Sequence, residues 1–191
     1  MWRPRRGFTW IETLVAIFLM ALASTLMSGF FLYTIRQNRR YEGRQELILG
    51  VENTLLRILS QFHGSRASAL RFDSSIAGIV FPLPVAVNST VARLDVQGSP
   101  LWSSWQAFGW DSSSRTVWEA SRAFILAVTQ GGELSSGPTG SAATWTRTVL
   151  ARSVREFQPT VSGTGGLRVR ILAQDAQGYQ VEMTSTGVAQ N

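Results

Sequence analysis

Cysteine is absent from the 191-residue chain, so neither a disulfide framework nor a thiolate metal site is available to it. Lysine is absent too: all 18 strongly basic residues are arginine, set against 12 carboxylates and a single histidine. That histidine, His63, is the only one in the sequence, and a lone histidine is ordinarily a surface or capping residue rather than a catalytic base. No G-x-S-x-G elbow, no His/Cys metal spacing and no phosphate-cradling glycine motif occurs. Asp73, Asp95, Asp111 and Asp175 could each offer oxygens to calcium, but none lies in an EF-hand-like run. No catalytic residue, cofactor or metal is therefore expected. Proline is scarce, with none between Pro4 and Pro82, which leaves a long stretch free of helix breakers.

The length suits one domain plus an extension. The formal charge of +6 is partly local, because Arg3, Arg5 and Arg6 stand ahead of an apolar run; without them 15 arginines face the 12 acids. The remaining arginines are scattered and form no compact basic block, so nucleic acid is not an expected partner.

From Phe8 to Ile35 the residues FTWIETLVAIFLMALASTLMSGFFLYTI carry one charge, Glu12. The uncharged part, Thr13 to Ile35, would span roughly 35 Å as a helix, against a bilayer core of about 30 Å. Arg36, Arg39 and Arg40 end it. Basic residues on both flanks make the positive-inside rule ambiguous, and the short amino-terminal flank favours an N-in orientation. A carboxylate in such a segment costs about 2.5–3.5 kcal/mol on insertion scales, so Glu12 needs a partner, a proton or hydration at the headgroups.

The run Arg5-Arg6-Gly7-Phe8-Thr9-Trp10-Ile11-Glu12 resembles the prepilin processing motif of type IV pilins and type II secretion pseudopilins. The resemblance implies leader cleavage between Gly7 and Phe8 and N-methylation of the new amine on Phe8. It also implies a role for Glu12, fifth in the mature chain, in subunit register. Trp10 departs from the aliphatic residue commoner at that place. On one helical face the Phe8 amine would lie four residues from Glu12. Pairing within a subunit or between neighbours would each offset the charge; the resemblance implies the second.

Two other readings of the amino terminus fit less well. A secretory signal would place its apolar region at Ile11–Met20 and its cleavage site at Ala21-Leu22-Ala23, yet the hydrophobic run continues through Phe30, Phe31 and Leu32. A twin-arginine signal would have a longer leader before Arg5-Arg6.

Beyond Arg40, Ile48, Val51, Leu55, Ile58 and Phe62 recur at spacings of three and four, one stripe of a helix. The expected helix therefore runs from Phe8 to Phe62, with Gly64 as its stop and Gly29 as a place for a local kink. Short strands follow: Ile79–Phe81 ahead of Pro82 and Pro84, a hairpin of Trp105–Trp110 and Arg115–Ala120 about Asp111–Ser114, and an apolar stretch at 123–129. Residues 131–142 read as a loop and Thr146–Phe157 as either helix or strand. Leu167–Ile171 alternates, turns near Asp175–Gly178 and returns as Tyr179–Met183. Trp102, Trp105, Trp110 and Trp118 suit the core better than an exposed binding surface.

The expected fold is α+β: a long amino-terminal helix, membrane-spanning in its first half, packed by its second half on an antiparallel β head. Residues 1–7 form the leader, 8–35 the transmembrane and filament-core helix, 36–63 its amphipathic continuation and 64–191 the head. The head pattern loosely resembles minor pseudopilins of the J or W type. Such a subunit primes or caps an envelope filament. Its implied partners are a prepilin peptidase/methyltransferase, other major and minor pilins or pseudopilins, an inner-membrane assembly platform with its ATPase, and the lipid bilayer. The implied location is the cytoplasmic (inner) membrane, single-pass, with the head in the periplasm or outside, and then the filament. The alternatives are a filament-borne adhesin or DNA-uptake subunit, and an unprocessed single-pass membrane protein.

Overall fold

The computed structural model describes residues 9–85, 100–128, 142–162 and 166–189. Gly7, Phe8 and Asp95, and nearly all of the loop expected at 131–142, lie outside them. The architecture is α+β: among the described residues one long helix, α1 (Trp10–His63), is followed by eight antiparallel strands. The chain divides into two compact units, Met1–Gly43 and Arg44–Asn191, with the boundary inside α1.

In the first unit α1 passes through Gly29 without interruption. Its apolar side chains, such as Phe18, Met20, Leu26, Met27 and Phe30, are about two-thirds exposed. The hydroxyls of Thr13, Thr25, Ser28 and Thr34 each donate to the carbonyl four residues back. Such back-bonding lets a polar side chain sit in apolar surroundings without an orphaned donor. This segment is long and apolar enough to cross a membrane.

In the second unit the stripe forecast by periodicity is buried from Val51 to Phe62, while Ile48 is only half-buried and Leu47 beside it is buried instead. Leu47, Val51, Leu55, Ile58 and Phe62 enter one core with residues of both sheets. Phe62 meets Phe81 edge-on at 5.7 Å, and Phe81 stacks on Phe108 at 5.8 Å. The helix ends at His63, but Gly64 does not take the left-handed conformation of a glycine cap. Ser65 does that work: its backbone N–H (2.9 Å) and its hydroxyl (2.7 Å) both donate to the Phe62 carbonyl.

The first sheet has the order β1 (Arg71–Asp73), β2 (Gly78–Pro84), β3 (Trp102–Asp111), β4 (Thr116–Val128), β5 (Arg147–Ala151). β1 covers only Gly78–Val80 of β2, so Pro82 and Pro84 occupy a stretch that needs no second set of ladder hydrogen bonds. The expected hairpin closes with Asp111 paired to Thr116, which puts Arg115 in the turn rather than in the strand. β4 absorbs the apolar stretch from Ala123 to Val128. Alternation sends Ile79, Phe81, Phe108 and Val117 to the core shared with α1. It sends Val80, Trp105, Ala107, Trp118 and Ala120 to a second core with Trp102 and Trp145.

The second sheet has the order β6 (Val154–Val161), β7 (Gly166–Gln174), β8 (Gln180–Val188). Leu167, Val169, Ile171 and Ala173 give β7 a fully apolar inner face. On the outer face Arg170 reaches across all three strands, to Glu182 at 2.7 Å and Glu156 at 3.5 Å.

Candidate functional site

The residues singled out in the sequence sit at the start of α1. Glu12 lies in the first turn. Thr9, the residue before the helix, accepts the first helical hydrogen bond on its carbonyl, from Thr13 N–H at 3.2 Å. The Thr9 hydroxyl accepts the Glu12 N–H at 3.3 Å, while Glu12 Oε2 accepts the Thr9 N–H at 2.8 Å and its hydroxyl at 2.9 Å. This reciprocal pattern is a capping box, T-x-x-E, which satisfies orphan donors at the positive end of the helix dipole. Thr9 is not among the sequence-predicted site residues, although the T-x-x-E spacing of Thr9 and Glu12 is the sequence signal for this cap. Because Gly7 and Phe8 lie outside the described residues, the structure places only Glu12 of the three predicted site residues.

In the second unit Glu119, 8% exposed, is the most buried charged residue among the described residues. Alternation on β4 turns Glu119 to the same side as Val117, toward α1, where Arg57 grips it with both arms of its guanidinium. Arg57 lies off the buried stripe of α1, and helical spacing carries no sign of a partner 62 residues away. Arg44 stacks over the Tyr179 ring at 4.6 Å, a second helix-to-sheet contact.

The other candidates have structural occupations. His63 Nδ1 lies 3.0 Å from the Val188 carbonyl. Trp102, Trp105 and Trp118 are buried, and Trp110 is half-buried with its indole N–H donated to the Val154 carbonyl. Asp73, Asp111 and Asp175 each accept backbone N–H groups of their own turns, as in Ser75 to Asp73 and Tyr179 to Asp175. Among the described residues no three His, Asp or Glu side chains gather as a metal site. No family model matches the chain, and neither a curated protein nor a solved structure matches it.

Proposed function

We propose that the chain is a minor pilin or pseudopilin, a structural subunit that primes or caps an envelope filament. The observation that carries this is Glu12: a lone carboxylate at the head of a long uncharged helical segment, four residues after the phenylalanine of the Arg-Gly-Phe run. The order of basic leader, glycine, phenylalanine, carboxylate and apolar run is that of a prepilin. In this role the first half of α1 is stored in the cytoplasmic membrane and then packs among neighbouring helices. Cleavage after Gly7 would leave the Phe8 amine next to Thr9 at the positive end of α1, where Glu12 supplies the opposing charge. A neighbour's amine would compete for the same carboxylate and set axial register, because an unpaired charge in an apolar bundle is expensive. Leu49 and Leu56, exposed and seven residues apart on α1, offer contacts for a neighbouring helix.

One observation favours a second reading. The capping box gives Glu12 a local task that any membrane-anchored helix could use, which fits an unprocessed single-pass protein. Intact-mass and amino-terminal peptide analysis of the protein from native membranes separates the two. A chain beginning at N-methylated Phe8 is the expected result; retention of Arg3–Gly7 would establish the plain anchor instead.

A further inference from the structure

Three tight turns converge on one cleft of about 350 Å³ in the β region: the β3–β4 turn, the β5–β6 turn and the β7–β8 turn. Its lining includes Ser114, Arg115, Arg152, Ser153, Gln174 and Asp175. Backbone hydrogen bonds tie the turns together, from Val154 N–H to the Arg115 carbonyl and from Gln174 N–H to the Ser153 carbonyl, both 2.9 Å. Arg115 (φ 53°) and Ser153 (φ 61°) both hold left-handed conformations. Glycine would occupy those positions at the least cost; the chain instead carries a cation and a hydroxyl at them. Strained non-glycine residues of this kind tend to gather where a side chain is needed.

The charges of the cleft are unbalanced. Arg115 and Arg152 are exposed and form no ion pair among the described residues. The one carboxylate in the lining, Asp175, directs Oδ1 to the N–H groups of Gln177 (2.9 Å) and Tyr179 (2.8 Å) of its own turn. Arg115 and Arg152 both line the cleft, and the planar forks of guanidinium groups match carboxylate and phosphate geometry.

We propose that this cleft binds an oxyanion, carboxylate or phosphate, between the guanidinium groups of Arg115 and Arg152. The volume exceeds that of a free ion, which favours the acidic side chain of a protein partner as the source. The site stands on the turns alone and does not depend on the filament role.

The test is isothermal titration of the full chain in a neutral detergent at low ionic strength, with inorganic phosphate and with a tetraglutamate peptide as separate probes. Binding is expected in the wild type and should weaken roughly tenfold or more in Arg115→Gln/Arg152→Gln, the loss of about one charged hydrogen bond. Arg168→Gln, which changes an exposed arginine outside the cleft lining, should bind as the wild type does. Arg115→Gly/Arg152→Gln guards against misfolding, since glycine relieves the left-handed strain: it should melt no lower than the wild type and still lose binding. Tighter binding of the peptide assigns the cleft to a protein carboxylate, and tighter binding of phosphate assigns it to the free ion. Absence of binding by both probes, or equal binding by the double variants, overturns the proposal.

Discussion

Arg57 on α1 and Glu119 on β4 form a two-pronged ion pair, with Nε to Oε2 and Nη2 to Oε1 both at 2.6 Å. The burial is lopsided: the Arg57 side chain is 53% exposed and that of Glu119 10%. The pair therefore fastens the carboxy-terminal half of the helix to the first sheet while leaving the cation in reach of water.

That asymmetry predicts unequal costs for the two single variants. Arg57→Met strands a carboxylate in the core and should destabilise the protein by about 2–3 kcal/mol. Glu119→Gln keeps a polar group that can still accept from Arg57, and should cost about 1 kcal/mol. Denaturant unfolding of the full chain in neutral detergent, run as a double-mutant cycle, should give a coupling above about 1 kcal/mol. Equal costs and a coupling near zero would mean the pair behaves as an ordinary surface salt bridge.

Gly109 faces Trp118 across the β3–β4 ladder, and a Cβ there would run into the indole ring. The ring cannot simply retreat, because the Arg147 guanidinium lies over it at 4.1 Å. Gly109→Ala should cost about 1–3 kcal/mol through forced repacking. Gly43→Ala is the matching control: nothing lies within 4 Å of a Cβ in that helical position, and the helix should gain up to about 1 kcal/mol. If both substitutions shift the unfolding midpoint in the same direction, the steric account of Gly109 fails.

The helix and its buried face were legible because period 3.6 is written plainly from Ile48 to Phe62. The strands were less so where the alternation breaks. Thr146–Phe157 admitted helix or strand because Val149, Leu150, Val154 and Phe157 do not alternate. The structure resolves it into β5 and β6, strands of different sheets joined through Arg152 and left-handed Ser153. A register shift between Val154 and Glu156 then lets Val154 and Phe157, three apart, both face inward. Two pattern-breaking events within six residues erased the period. The candidate site was legible for a different reason: one charge in an apolar run stands out at any distance. Its capping partner Thr9, the partner of Arg57 and the convergence of Arg115 with Arg152 are facts of proximity, and spacing along the chain carries little of that.

Asp111 offers a pH-dependent prediction. The Ser113 hydroxyl at 2.7 Å, then Ser114, then the Ser113 N–H stabilise its carboxylate and lower its pKa to about 2. A folded-state value below the unfolded one of about 3.9 means the turn's contribution is fully present above about pH 4. It fades as pH falls through about 2. The gap in thermal midpoint between wild type and Asp111→Ala should therefore be constant from pH 5 to 7 and close toward pH 2. A gap that persists at pH 2 would assign the effect to the turn backbone rather than to the charge.

Glu12 has two tasks under the proposed function, and one substitution separates them. Glutamine also fits the capping box, so Glu12→Gln should keep the reciprocal bonds with Thr9 while removing the charge. Glu12→Ala removes both. Both variants should insert in the membrane and be cleaved after Gly7, because neither touches the cleavage residues. If the carboxylate sets register against a neighbour's amine, Glu12→Gln should fail to enter filaments about as completely as Glu12→Ala. An unpaired charge at membrane depth is worth about 2.5–3.5 kcal/mol, so incorporation should fall roughly a hundredfold. Co-sedimentation with sheared filaments, quantified against processed protein in the membrane, reads this directly. Wild-type incorporation of Glu12→Gln beside poor incorporation of Glu12→Ala would reduce Glu12 to a helix cap and leave the register role without support.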